Sequence, residues 1–180
     1  QNTVMEFREL LRVVGNAPVF HSSLLLAGDV DPNNIRRQLS RWTNAQRLHQ
    51  LRRGVYALAP PYNKVKPHPF VVANALVSPS YVSLQSALAY HGIIPEYTPV
   101  VTSVTTARPG SWETPLGDYA FSHVKVEWFH GYQQRGVSDG QRAYLAQPEK
   151  ALLDLVYLTP GADARNYLAE RRLQNLKRLD

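Results

Sequence analysis

Between residues 59 and 69 the chain reads APPYNKVKPHP, with four prolines. A proline has no backbone N–H and clashes with the preceding helical turn, so neither a helix interior nor a central strand can run through this stretch. The chain must therefore fold as two pieces, and the expected domains are residues 1–60 and 61–180. The first is close to the size at which a domain buries only about 60% of its unfolded surface, so it must be built economically. Hydrophobic residues make up 44% of the chain, which places it among globular rather than disordered proteins.

Charge separates the pieces again. Residues 1–60 hold eight Arg and four acids, a net of +4; residues 61–180 hold twelve Lys/Arg and ten acids, a net of +2. After Asp31 the next acid is Glu96, and between them lie six Arg and two Lys. Uncompensated positive charge favours an anionic partner: nucleic acid, an acidic protein or a membrane surface. The chain has no Cys, which excludes thiol catalysis, disulfides and thiolate metal sites and fits a reducing compartment. No apolar run is long enough to span a bilayer, and QNTVMEFREL lacks the charged-then-apolar pattern of a secretory leader. A soluble, cytoplasmic protein is expected.

In the first piece, NTVMEFRELLRVVGNAP predicts a helix with Val4, Phe7, Leu11 and Val14 on its apolar stripe, stopped by Gly15 and Pro18. HSSLLLAG predicts a second short helix closed by Gly28. Asp31 can cap a third, with Pro32 in its first turn. In that third helix Ile35, Leu39, Trp42 and Gln46 fall on one face, and Asn33, Arg37, Ser40, Arg41 and Asn44 on the other, with Arg36 and Gln38 between. Arg, Asn and Ser are the side chains that contact phosphates and base edges. RLHQLRRGVYAL follows as two extended runs around Arg53-Gly54, where glycine supplies the positive φ of a tight hairpin. Three short helices and a basic hairpin is the order of a winged helix-turn-helix, whose third helix enters the major groove. Arg37, Arg41 and Asn44 are then the base-edge candidates; Arg36, Arg47, Arg52 and Arg53 are candidates for the phosphate backbone. The plainer alternative, a solvated charged face, ordinarily mixes both signs.

The second piece reads as α+β, a mixed domain of antiparallel strands with flanking helices. PHPFVVANALVSPS and SYVSLQSALAYHGIIPE predict helices, the latter capped by Ser83 and ended by Gly92. VVTSVTT predicts a strand. GSWETPLGDYAFSHVKVEWFHGY predicts a hairpin turning at Pro115-Leu116-Gly117 and a further strand, and RAYLA a last one. QPEKALLDLVYLTPG predicts a helix with Pro148 in its first turn and a stripe of Ala151, Leu152, Leu155 and Leu158. DARNYLAERRLQNLKRLD predicts another, with Tyr167, Leu168, Leu173 and Leu176 packed and Arg165, Arg171, Arg172, Lys177 and Arg178 outward.

The ordered series LHQLRRGVYAL, SYVSLQSALAYHGIIPE, VTSVTTARPGSWETPLGDYAFSHVK and QPEKALLDLVYL, spanning roughly residues 5 to 160, resembles the AbiEi family of antitoxin-type transcriptional regulators from type IV (abortive infection) toxin–antitoxin loci. The resemblance implies an N-terminal winged helix that binds repeats in double-stranded promoter DNA and represses its own operon. It also implies a C-terminal domain that neutralises a cognate nucleotidyltransferase-like toxin, without requiring a stable complex, in a protein that is a monomer or weak oligomer cooperating on DNA. His91, Arg108, Glu113, Pro148, Glu149, Lys150 and Asp154 sit in family-like segments. Pro148 and Glu149 are equally what a helix N-terminus selects. Many members are longer, and DPNNIRRQL is this chain's own version of a variable segment, so an operator sequence does not carry over.

Little in the sequence points to chemistry. No phosphate-binding glycine loop or nucleophile elbow occurs, and no cofactor is expected. His123 and His130 lie on separate strands in this reading, which makes satisfied or exposed histidines the default over a metal site. A metal-dependent nuclease would need Glu113, Asp118 and Glu127 to converge, and hairpin surface charge is the simpler account. Tyr81, Tyr90, Tyr97, Tyr119, Tyr132, Tyr144, Tyr157 and Tyr167, with Trp112, Trp128 and Phe129, are expected mainly in the core; an RNA-stacking or protein-binding surface is the alternative. An RNA- or toxin-binding adaptor without promoter specificity is the second functional reading.

Overall fold

The structure, a computed structural model, describes residues 4–95 and 98–179. Glu96, which ends the acid-free stretch, and Tyr97 lie outside those residues, as do the first three residues and the last. The chain forms two compact units, Gln1–His68 with Thr114–Leu116, and Pro69–Glu113 with Gly117–Asp180.

The first unit runs α1 (Phe7–Val14), β1 (Phe20–His21), a 3-10 turn (Ser22–Leu26), α2 (Pro32–Asn44), β2 (Leu48–Arg52) and β3 (Val55–Leu58). The stripe of α1 is not the expected one. Leu10 and Val14, one turn apart, are buried, while Val4 precedes the helix and is half exposed. Phe7 and Leu11 are partly buried at the edge of the core, where Phe7 meets Trp42 at 5.4 Å and Tyr62 edge-on at 4.9 Å. HSSLLLAG forms a 3-10 turn rather than an α-helix: β1 pairs with β3 immediately before it, and the Ser22 N–H donates to Gly54 O at 2.9 Å, so too few residues remain for a longer element.

In α2 the Asp31 carboxylate accepts the Asn33 N–H at 2.9 Å and Pro32 occupies the first turn. Ile35, Leu39 and Trp42 are buried as expected. Gln46 is not part of that face: it follows the end of the helix at φ 56 and is exposed, because a left-handed residue is what turns the chain toward β2. β2 and β3 pair antiparallel around Arg53-Gly54, with Gly54 at φ 82, and β1 covers the other edge of β3 to give the order β1-β3-β2. All of β3 is buried.

The second unit carries α3 (Pro69–Leu76), β4 (Ser80–Val82), α4 (Leu84–Tyr90), β5 (Val100–Thr105), β6 (Gly110–Thr114), β7 (Gly117–His123), a 3-10 turn (Val126–Trp128), β8 (Tyr132–Ser138), β9 (Gln141–Ala146), α5 (Pro148–Leu158), α6 (Arg165–Glu170) and a last 3-10 turn (Leu176–Arg178). Its strands form one sheet in the order β6-β7-β5-β4-β9-β8. The sheet is mixed, not antiparallel: β5 pairs with β7, and β4 with β9, in parallel. The short strand β4, read from sequence as the run-up to a helix, lies between β5, to which it pairs antiparallel, and β9, to which it pairs in parallel. Ser83 stands at the α4 N-cap but makes no capping bond; its hydroxyl goes elsewhere.

Two further expectations fail. VKVEWF is a 3-10 turn with Val126 76% exposed, and the strand that follows is β8, zipped onto β9. The final helix stops at Glu170. Arg172 and Asn175 take positive φ, the Gln174 N–H donates to Ile93 O at 2.7 Å, and Asn175 Nδ2 donates to Gly92 O at 2.8 Å. Leu176 is accordingly exposed rather than packed. Arg171, expected outward, is partly buried with its guanidinium 4.7 Å above the Tyr167 ring.

Candidate nucleic-acid interface

With about 100° between successive residues, Asn33, Arg36, Arg37, Ser40, Arg41 and Asn44 occupy an arc of roughly 140° on α2. All six are exposed, opposite Ile35, Leu39 and Trp42. The helix is held from both ends: Asp31 at the start, and Thr43 Oγ1 donating back to Leu39 O at 2.8 Å near the finish. Gln38, on the flank, donates from Nε2 to Met5 O at 3.4 Å. The outward side chains thus stand on a helix whose inner face is fixed.

Arg37 donates to Asn34 Oδ1, and among the described residues no carboxylate is ion-paired with Arg36, Arg37, Arg41 or Arg53. Arg47 lies past the helix and is exposed, with its guanidinium 5.0 Å above the Phe7 ring. That stacking leaves the edge of the fork available while limiting its reach. Arg53 is exposed at the hairpin turn; Arg52 ends β2, partly buried. The candidate residues therefore fall into two groups, six on one helical face and Arg52-Arg53 on the hairpin, with Arg47 between them in sequence.

The second unit holds a charged cluster of another kind, built on two of the family-like positions, Lys150 and Asp154, whose pairing the sequence reading did not foresee. Lys150 and Asp154 are buried, one turn apart on α5, and their Nζ and Oδ1 lie 2.8 Å apart. Lys150 also donates to Trp128 O at 2.7 Å, and Asp154 Oδ2 accepts from Tyr81 OH at 2.9 Å and Ser83 Oγ at 2.7 Å. Burial first, and then the neighbouring Asp154 carboxylate, hold the Tyr81 phenol well above its ordinary range, so it stays a donor. Gly131, at φ 76, completes the site: a Cβ there would come within 2.9 Å of Lys150 Cγ. A signal was present in sequence, since Lys150 and Asp154 flank Ala151 and Leu155 on the apolar side of the helix.

The remaining family-like positions do not converge. His91 Nε2 lies 2.8 Å from Ala146 O; a carbonyl only accepts, so that nitrogen carries the proton and donates. Burial lowers the His91 pKa, partly offset by this bond. Arg108 and Glu113 are exposed, Pro148 opens α5 and Glu149 sits in its first turn. Glu113, Asp118 and Glu127 are all exposed, His123 Nδ1 lies 3.0 Å from Ala107 O, and among the described residues no group of three or more His, Asp or Glu could hold a metal ion. Tyr81 and Tyr119 are buried, and burial raises the Tyr119 phenol to about 12, whereas Tyr90, Tyr144 and Tyr157 are exposed. Among the described residues no helix is long and apolar enough to cross a membrane. No protein-family model matches the chain, and no curated protein matches it.

Proposed function

We propose that the first unit is a winged helix-turn-helix that binds promoter DNA, with α2 as recognition helix and the β2–β3 hairpin as wing. The observation that carries this reading is the exposed, carboxylate-free face of Asn33, Arg36, Arg37, Ser40, Arg41 and Asn44. The order helix, short strand, turn, helix, hairpin, with β1 closing on β3, supports it. Arginines without carboxylate partners are costly neighbours for one another unless phosphates approach them. Arg37, Arg41 and Asn44 read base edges; Arg36, Arg47, Arg52 and Arg53 hold the backbone. On the strength of the AbiEi resemblance, the protein is a cytoplasmic antitoxin that represses its own toxin–antitoxin operon. Its second unit neutralises a nucleotidyltransferase-like toxin.

The test is fluorescence anisotropy on a duplex from the region upstream of the operon, with the full chain and with Arg37→Ala/Arg41→Ala. Each lost base contact costs about 1–3 kcal/mol, so the double variant should bind at least tenfold more weakly to the operator and lose its preference over scrambled duplex. Equal affinity of both proteins for the operator rejects α2 as the reading helix. In cells carrying the adjacent toxin gene, the same variant should lose repression and keep neutralisation. Loss of both functions at once would reject the division of labour.

A further inference from the structure

The sheet of the second unit ends at β8, which pairs with β9 and with no other strand among the described residues. Along an antiparallel pair, residues that exchange both backbone bonds alternate with residues whose N–H and C=O point away from the partner. Two observations fix the alternation here. The Gln147 N–H donates to Gly131 O at 2.9 Å, so Gly131, and with it Gln133 and Arg135, turn their backbone groups toward β9. On the far side of β9, the Tyr144 N–H and carbonyl go to the Asn74 amide at 2.7 and 3.4 Å, so Gln134, opposite Tyr144, receives neither. Tyr132, Gln134 and Gly136 therefore present their N–H and C=O groups outward, and among the described residues no other backbone group bonds them.

An open edge is ordinarily blunted by proline, lysine or a bulge. YQQRGVS has neither proline nor lysine, and its register shift falls at the far end, between Gly136 and Ser138. Gln133, Gln134, Arg135 and Gly136 are all exposed. The stretch from Tyr132 to Gly136 is thus a ladder that a further strand can continue.

Charge selects the strand. Arg135 is the only charged side chain of β8. A residue laid opposite it forms a non-hydrogen-bonded pair, the closer kind, with both side chains on one face. The neighbouring residue of the added strand lies opposite Gly136, on the other face. A Cβ at Gly136 would meet nothing within 4 Å, and Arg142 stands across from it on β9, exposed. Arg142 can reach over the glycine to that second position. Among the described residues neither arginine is ion-paired with a carboxylate. Acids at two successive positions of an added strand would each meet an arginine, one on either face. The chain itself has no two adjacent acids, so a second copy does not supply the pattern.

We propose that the β8 edge docks an extended segment of a partner protein, added antiparallel, in which two adjacent residues are acidic. The inference uses only residues of the second unit and stands whether or not the first unit binds DNA.

Fluorescence anisotropy of the full chain with a labelled peptide, Thr-Val-Asp-Glu-Val-Thr-Val, and with its Asn-Gln counterpart tests it. The acidic peptide should bind saturably and severalfold more tightly, since each cross-strand ion pair contributes up to about fivefold. Arg135→Gln and Arg142→Gln should each narrow that preference, and the double variant should erase it. Amide exchange followed by nuclear magnetic resonance gives the second readout. In the free protein Gln133 and Arg135 should be protected while Tyr132, Gln134 and Gly136 exchange rapidly, and the acidic peptide should slow those three. No saturable binding, equal affinity for the two peptides, or binding that leaves the three amides exchanging freely would overturn the proposal. So would protection of the same amides as the protein alone is concentrated, which would assign the edge to a second copy.

Discussion

Replacing Lys150 by Met removes a buried cation while keeping most of the stem that packs on Gly131. The side chains of Lys150 and Asp154 are 8% and 3% exposed, so water cannot take the place of the lost partner. Breaking such a pair from one side costs about 3–5 kcal/mol, most of it the penalty of an uncompensated buried charge. The Trp128 carbonyl also loses its donor, worth about 1 kcal/mol. Against this, Asp154 keeps the Tyr81 and Ser83 hydroxyls, which restrain the loss to the lower part of the range. We therefore expect Lys150→Met to cost about 3–4 kcal/mol. Lys150→Met/Asp154→Leu leaves no buried charge and two orphaned hydroxyls, at about 1–3 kcal/mol each. It should thus be far less damaged than the sum of the single variants. Urea unfolding followed by near-ultraviolet circular dichroism, fitted for the second unit's own transition, measures all three. Because the pair is buried, the loss should persist in high salt. A cost below about 1 kcal/mol for Lys150→Met, or additive single variants, would show that solvent reaches the pair and would refute the reasoning.

Leu39, 1% exposed at the centre of the α2 inner face, should cost about 2–5 kcal/mol when replaced by Ala, read as a lower urea midpoint of the first unit. If Arg36, Arg47, Arg52 and Arg53 each neutralise one phosphate, the logarithm of DNA affinity should fall with the logarithm of salt at a slope of about −3.6, and Arg53→Ala should flatten it by about 0.9; a slope near zero contradicts the assignment. His91 has its pKa lowered from 6.5 by burial, so as pH falls below that value the unfolded chain takes up a proton the folded chain resists, and stability declines. His91→Gln, which keeps a donor for Ala146 O, should flatten that acid limb, and an unaltered limb would remove His91 as its cause.

Where the sequence was readable, the deciding forces were local. Asp31, Pro32 and the Ile35/Leu39/Trp42 repeat define α2 within thirteen residues, and Gly54 defines the hairpin because its φ of 82 is costly for any other residue. Where it was not, a distant partner decided. SYV reads as the run-up to a helix capped by Ser83 until β5 and β9 are present to pair with it. LAERRLQNLKRL has helical composition throughout, yet the carbonyls of Ile93, Gly92 and His91 draw Gln174, Asn175 and Arg178 out of register with any helix. Those bonds join residues more than eighty positions apart, beyond what periodicity can register.

The two charged clusters show the same division from the side of electrostatics. Arg36, Arg37 and Arg41 have no acid in their own sequence neighbourhood, so no local pairing could carry them into a core, and exposure followed from the sequence alone. Lys150 has Asp154 one turn later on the same helix, and a lysine so placed has two outcomes: a solvated pair on the surface or a desolvated pair within. What selects the second is the set of groups that finish the bonding. The Trp128 carbonyl takes one Lys150 proton, Tyr81 and Ser83 supply donors to Asp154, and Gly131 leaves room for the lysine stem. They come from β4, its exit toward α4, and the turn before β8, so the pair's burial is a property of the assembled sheet. A cation that brings its own acid can be buried by the fold, whereas cations that bring none stay at the surface until an outside anion meets them.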